Sequence, residues 1–289
     1  MRSPLIKLFG AVFLTGFLFY SLRADIAPTT FVGGGIVPKD NGVIKMRSAR
    51  VDITWGAPCA LKAVFEMENT TGSAQGVTVG FPVPVPYDRI SEEPDAKMAG
   101  PVAMSFNGKK EIVATPAAVE DQNNNWVWFY KNHDFAPGIT TIEVTASLRP
   151  SLTKGLAYRE RLSYCIETGG KWAGAIAFEE VTIHFPEPLE QGQIDSIKPD
   201  SAQIEGNRVR WVFKDIEPRG EEYDIAITYL HPAAMRVLTR LRGDYKKNPS
   251  SADAALKLAR HLLALGFVYS NSGYLPVRLS ENEFRHCLD

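Results

Sequence analysis

Ala60-Leu61-Lys62-Ala63-Val64-Phe65-Glu66-Met67 decides the fold class. Leu61, Ala63, Phe65 and Met67 alternate with Lys62 and Glu66, and only a period of two puts those apolar groups on one face. The segment therefore reads as a β-strand with one buried and one wet side, ended by Glu68-Asn69-Thr70-Thr71-Gly72. Working outward, the period of two dominates from Val43 to Leu230. Gly76 to Val83 is the next strand. It enters Pro82, Pro84 and Pro86, which have no N–H to donate, so an edge or crossover is expected there rather than a central strand. Asn107-Gly108 within Val102 to Thr115 is a tight-hairpin signal. Trp126 to Lys131 alternates, and Ala136-Pro137-Gly138 turns it into Thr140 to Leu148.

A second block holds strands at Leu162 to Thr168, Ala175 to Phe185, Ile194 to Lys198, Arg210 to Phe213 and Tyr223 to Leu230, with a tight turn at Gly206-Asn207. Many short strands with frequent turns predict a mainly β protein, built as one or two antiparallel β-sandwich domains. No βαβ alternation occurs, which excludes a doubly wound nucleotide-binding fold.

After His231-Pro232 the period changes. Met235, Leu238, Leu241 and Tyr245 fall at helical spacing, and Asn248-Pro249 stops that helix. Ser250 or Ser251 caps the next, which carries Ala255, Leu258, Ala259 and Leu262 on one face and ends at Gly266. Ser280-Glu281-Asn282-Glu283 is a capping box for a short last helix. A small helical tail that leaves one apolar face for a partner is expected, with Tyr269 and Tyr274 as candidate partner-binding residues. The tail from Ala233 has nine basic and five acidic residues, whereas residues 25–232 have 20 and 28, so the tail can dock on the body by charge.

The chain has 289 residues, 45% hydrophobic and 22% charged, with a net charge of -1. That composition excludes wholesale disorder and argues against a nucleic-acid binder. At the N-terminus, Arg2 and Lys7 precede an apolar run from Leu8 to Leu22, and Ala24 precedes Asp25. This is the pattern of a signal peptide over residues 1–24, shorter than the roughly 20 residues of a spanning helix. The organisation expected is thus a signal at 1–24, β regions at 25–150 and 151–232, and a helical tail at 233–289. The product is expected in the periplasm or outside the cell, the alternative being an anchor through the apolar segment, its only route to a membrane.

Export implies an oxidising compartment, and the cysteines are Cys59, Cys165 and Cys287. Two readings stand: small buried hydrophobes, or a Cys59–Cys165 bridge with Cys287 left over. No CxxC, HxH or HExxH spacing occurs, so neither metal nor cofactor is expected. His133-Asp134 lies near Asp121 if a hairpin end joins them, and Glu180 with His184 shares one strand face. Solvated polar groups account for both. His261 reads as a boundary residue of its helix. Ser105 and Ser163 lack a nucleophile context, and Gly33-Gly34-Gly35 lacks the lysine and helix of a phosphate loop. Trp126, Trp128 and Tyr130 share one strand face, opposite Val127 and Phe129. Exposed, they would stack on sugar rings or hold a partner; buried, they fill an interface.

Several short motifs carry a resemblance over residues 24–230. They are Ala24-Asp25, Gly33-Gly34-Gly35, Ile44-Lys45-Met46, Phe81-Pro82-Val83-Pro84, Phe135-Ala136-Pro137-Gly138, Thr168-Gly169, Lys171-Trp172, Gly174, Trp211-Val212-Phe213 and Glu217-Pro218. Their order resembles an exported β-rich bacterial family, domain of unknown function four-four-two-four, which implies a compartment and a fold class but no activity. In the tail, Leu265-Gly266, Tyr269, Ser280, Phe284 and Cys287 resemble a lone tetratricopeptide-type helical hairpin. The expected function is a non-enzymatic binding or scaffolding role at the cell envelope, toward a protein or glycan. A carbohydrate-binding module on the aromatic face, or a hydrolase with a loop-assembled site, is the alternative.

Overall fold

The computed structural model describes residues 27–32, 35–39, 41–84, 101–109, 112–113, 115–121, 124–148, 150–152, 159–190, 192–220, 222–262 and 265. In chain order the strands are β1 (Ala27–Val32), β2 (Gly35–Pro38), β3 (Ile44–Thr54), β4 (Cys59–Asn69), β5 (Gln75–Pro84), β6 (Ala103–Phe106), β7 (Ile112–Val113), β8 (Thr115–Asp121) and β9 (Asn124–Phe135). There follow β10 (Gly138–Leu148), β11 (Ser151–Leu152), β12 (Arg159–Tyr164), β13 (Ile176–His184), β14 (Ile194–Lys198), β15 (Gln203–Glu205), β16 (Arg208–Ile216) and β17 (Ile225–Leu230). A short 3-10 turn spans Glu167–Lys171, and two helices close the described chain, α1 (Pro232–Lys247) and α2 (Ala252–Leu262). The protein is mainly β with a small helical tail, as the alternation and its loss after Leu230 require.

The strands form three sheets. Five run in the order β2-β1-β5-β9-β8, eight in the order β15-β16-β13-β3-β4-β10-β6-β7, and four in the order β11-β12-β17-β14. β4 sits inside the eight-stranded sheet, paired to β3 and β10 along its whole length. Its odd-numbered residues are buried and Ala60, Lys62 and Glu66 are exposed, as the pattern predicts. The pairing is antiparallel except between β3 and β13, which run parallel from Ser48 opposite Phe178 to Thr54 opposite His184. That parallel pair joins strands from both sides of residue 150 in one sheet. One buried cluster likewise takes Phe81 and Phe129 from the five-stranded sheet, Phe65 and Trp211 from the eight-stranded, and Leu162 and Ile227 from the four-stranded. The two β regions therefore share a core.

Both tight turns form. Asn107 and Gly108 adopt φ of 54° and 65°, the left-handed pair that a two-residue hairpin demands. Asn69 closes the β4 turn by donating its amide to the carbonyls of Ser73 and Phe135, each at 2.8 Å. One expectation fails: the proline-bearing strand β5 lies inside its sheet, between β1 and β9. The described pairing with β1 covers only Thr78 to Gly80, while Pro82 and Pro84 pair on the β9 side alone. The missing N–H groups thus fall beyond the overlap, where no ladder bond is asked of them.

In the tail, His231 caps α1, its Nδ1 accepting from the Ala233 N–H at 3.2 Å, and Asn248 ends it. Of the two serines offered as caps for α2, Ser251 is the one used, its Oγ accepting from the Ala254 N–H at 3.2 Å. Met235 and Leu238 pack with Leu258, Leu262 and Leu265 in a second small core that begins at Leu230. His261 bridges the helices through the carbonyl of Ala234 at 3.2 Å, as a boundary residue should. Body and tail meet where Arg236 pairs with Glu187 at 3.2 Å and Thr239 donates to Glu190 at 3.0 Å. The signal expected at 1–24, the capping-box sequence at Ser280, Tyr269, Tyr274 and Cys287 lie outside the described residues. Among those described, no helix is long and apolar enough to cross a membrane.

Candidate binding site

The aromatic strand does not offer a flat platform. Val127 and Phe129 enter the core as expected, but Trp128 on the opposite face is only 6% exposed and Tyr130 is half-buried. The side chain of Trp126 lies outside the described residues. His133 and Asp121 are not neighbours either. Asp121 pairs with Asn124 at the β8–β9 turn, nine residues along β9 from His133, roughly 30 Å at strand rise. His133 instead stacks on Phe106 at 4.0 Å and meets the edge of Phe135 at 4.9 Å, and burial lowers its pKa.

Glu180 and His184 do share a face, and the sheet adds partners from adjacent strands. Register sets Asp52 opposite Thr182 and Thr182 opposite Arg210. His184 Nε2 lies 2.9 Å from Asp52 Oδ1, Arg210 reaches Glu180 at 2.7 Å, and Lys62 reaches Glu143 at 3.3 Å. The hydrogen bond from Arg210 holds the Glu180 carboxyl below its ordinary range. A shallow depression of about 270 Å³ lies among Asp52, Glu180, His184 and Arg210. Cross-strand pairing of opposite charges on a wet sheet face accounts for it.

The four-stranded sheet is built differently. Glu160, Leu162 and Tyr164 of β12 point to the core side, where Glu160 accepts from Trp55 Nε1 at 3.0 Å. Arg159, Arg161 and Ser163 point the other way, beside Thr228 of β17 and Asp195 and Ser196 of β14. Much of that face is covered: Arg159 is 1% exposed, Ser163 and Thr228 are buried, and Arg161 and Asp195 are half-buried, while Ser196 at its β14 edge reaches solvent. Arg159 Nε donates to Asp195 at 2.9 Å, while its Nη1 has no hydrogen-bond partner. Burial raises the Asp195 pKa against the opposing pull of Arg159.

At the end of β12 the chain enters the 3-10 turn. Asp224 Oδ1 accepts from the N–H groups of Ile166 (2.8 Å) and Glu167 (3.1 Å) and so fixes the turn's start. A Cβ at Gly170 would collide with the carbonyl of Pro218, so only glycine lets the turn close on the 217–220 loop. Asn41 joins from a third segment, donating its N–H to the Lys171 carbonyl at 2.8 Å. Together they bound a cleft of about 330 Å³ lined by Asn41, Glu167, Lys171, Trp172 and Arg219 among others. The 167–174 stretch, which holds Lys171-Trp172 and Gly174, thus meets Pro218 of the Glu217-Pro218 motif, more than 40 residues on, at one place. Sequence reading singled out those motifs but not Glu167, Arg219 or Asp224. No local spacing links them; the glycines flanking Lys171-Trp172 were the available signal.

The Cys59–Cys165 bridge is not formed. Cys59 is a free thiol at the start of β4, donating to the Gly56 carbonyl at 3.4 Å. Burial pushes its pKa up to about 11, with the Glu160 charge adding to the rise. Cys165 follows the end of β12 at Tyr164 and is buried as well. It sits instead with Glu167 and Asp224, the ligand atoms of all three within 4.8 Å of one another.

No protein-family model and no curated protein matches the chain. Among solved structures it is similar to a Legionella pneumophila protein named provisionally for nutrient binding. The TM-score is 0.52 at 17% identity, over 90% of this chain and 83% of that one. Weaker likenesses include leukotriene A4 hydrolase from Saccharomyces cerevisiae (TM-score 0.34, 8% identity, 65% of this chain and 29% of that one). An M1 zinc metallopeptidase from Deinococcus radiodurans scores 0.33 at 9% identity, over 66% and 43%. The first likeness is one of fold. The chain spans less than half the length of either of these two proteins.

Proposed function

We propose that the protein is an exported, non-enzymatic binding protein of the cell envelope that takes a small charged ligand in the cleft at Gly170. The observation that carries this is the convergence of three remote segments, 41–42, 167–174 and 218–219, on one polar cleft. Lys171 and Arg219 offer cationic hydrogen-bond donors and Glu167 an acceptor, a set suited to a ligand bearing both a carboxylate and an amine. Nutrient binding, the role in the name of the Legionella protein of similar fold, fits a ligand of that size and charge. Export rests on the residue pattern of 1–24. The buried Trp128 weighs against a sugar platform on β9.

The test is a thermal-shift screen of the exported chain against amino acids, small peptides and organic acids. One class is expected to raise the melting temperature of the wild type, and Arg219→Ala, an exposed substitution, to reduce that shift. If no compound stabilises the protein, or if Arg219→Ala binds equally well, the cleft is not the site. Recovery of a cleaved ligand would replace the binding reading with the hydrolase one.

A further inference from the structure

We propose that Cys165, Glu167 and Asp224 form a binding site for one divalent transition-metal ion of the zinc type. This stands on the geometry of the three residues and does not require the cleft to hold an organic ligand. A thiol and two carboxylates lie with ligand atoms within 4.8 Å of each other, Cys165 and Asp224 buried and Glu167 half-buried. Donors around a tetrahedral zinc ion, at 2.0 to 2.3 Å from the metal, sit about 3.3 to 3.8 Å apart, so side-chain rotations of under an ångström or two close the shell.

Cys165 is not packed as a hydrophobe. Tyr164 and Ile166 on either side of it belong to the main apolar core, whereas Cys165, fully buried, does not. Its side chain turns to the polar face of β12, the face of Arg159, Arg161 and Ser163. Ser163, one strand period earlier and buried on that face, has a hydroxyl with no hydrogen-bond partner. Ser163 pairs with Ala226, two residues from Asp224, so this orphan hydroxyl lies one strand period from the group, and a buried polar atom of that kind calls for a partner.

Charge points the same way. A thiolate and two carboxylates form a donor set that favours a dication over a monovalent ion. A dication neutralises two of them outright. The donor set also selects among ions: thiolate disfavours calcium and magnesium, and paired carboxylates disfavour monovalent copper. Asp224 is held in place by the N–H groups of Ile166 and Glu167, the outer hydrogen bonding that orients a metal ligand. The Ser163 hydroxyl, or water from the cleft that Glu167 lines, completes four-coordination. Sequence spacing hid the site because Asp224 lies 59 residues from Cys165 and is brought back by the β12–β17 pairing.

The experiment is titration of metal-free full chain with zinc, and separately with cobalt, whose thiolate complexes absorb in the near ultraviolet. The wild type is expected to bind one ion per chain and to show the cobalt–thiolate band. Cys165→Ser is expected to lose the band and weaken zinc binding by at least about tenfold, and Glu167→Gln to weaken it by about tenfold with the fold intact. The proposal fails if folded wild type binds no stoichiometric zinc, or if Cys165→Ser keeps band and affinity. Should Cys165→Ser not fold, Glu167→Gln decides: unchanged zinc affinity overturns the site.

Discussion

The eight-stranded and four-stranded sheets each turn one face to the shared core and one away from it, and the two outward faces could hardly differ more. On the larger sheet that face is open, and its charges pair with cross-strand neighbours in water. On the smaller it is largely covered, with Arg159 buried against a mostly buried Asp195 and only the β14 edge at Ser196 in solvent. The alternation that produces both is the same. It tells which side of a strand turns from the core, and not whether water lies there.

Removing one member of the covered pair should give the largest effect. Asp195→Ala leaves the Arg159 guanidinium buried without a counter-charge, a change that costs about 3–5 kcal/mol. The pair is not itself a strong stabiliser. Burial raises the Asp195 pKa, so its contribution to stability is full below the unfolded pKa near 3.8 and is lost as pH rises through the folded value. The double replacement Arg159→Met with Asp195→Leu should therefore recover most of the loss. Urea denaturation of both variants measures it; an Asp195→Ala loss under about 1 kcal/mol would mean that water reaches that pair after all.

Next comes Gly170→Ala, where the added methyl meets the backbone carbonyl of Pro218. Overpacking of this kind costs about 1–3 kcal/mol. The same methyl at Gly243 of α1, which has open space around it, should cost nothing and even stabilise the helix by some tenths of a kcal/mol. Melting curves of the two variants should move in opposite directions. Equal shifts would remove the case for a built cleft.

Most strands and both described helices are readable from periodicity, because a buried face in water-soluble sheet or helix must repeat with its backbone. Where reading failed, charge or distance was the cause. Arg159-Glu160-Arg161 opens β12, but three charged residues in a row do not look like a strand whose polar side is buried, so the expected strand begins at Leu162. It was also expected to continue to Thr168, whereas Asp224 captures the N–H groups of Ile166 and Glu167 and bends the chain into the 3-10 turn. The cleft and the cysteine–carboxylate group depend on residues joined only by tertiary pairing. Single-chain spacing carries no trace of that, and for want of register it left a Cys59–Cys165 bridge open beside the buried-hydrophobe reading.

His133 tests how packing differs from pairing. It stacks on Phe106 and meets the edge of Phe135, linking the five- and eight-stranded sheets, and burial lowers its pKa from 6.5. The folded state prefers the neutral ring, so this stabilisation is full above the unfolded pKa and is lost as pH falls through 6.5 toward the folded value. The ring is partly exposed, which keeps the effect under about 1 kcal/mol. His133→Phe should flatten the fall in stability between pH 7.5 and pH 5 while leaving stability at pH 7.5 within experimental scatter. An unchanged pH profile would assign the acid sensitivity elsewhere.

The smallest effect is expected on the open face, and there its smallness is the point. Asp52 and His184 form a 2.9 Å contact with both side chains in solvent, 61% and 35% exposed. Such a pair gains little, because water screens it and both side chains lose freedom by holding one geometry. Asp52→Asn keeps the size and an acceptor oxygen while removing the charge. It should shift the melting temperature by less than about 2 °C at physiological salt, and raising the salt should shrink that difference further. A loss of more than about 4 °C would show that the depression among Asp52, Glu180 and His184 is held together by more than cross-strand pairing. The contrast between an open, self-satisfied face and a covered one would then collapse, and the 270 Å³ depression would become the first place to look for a ligand.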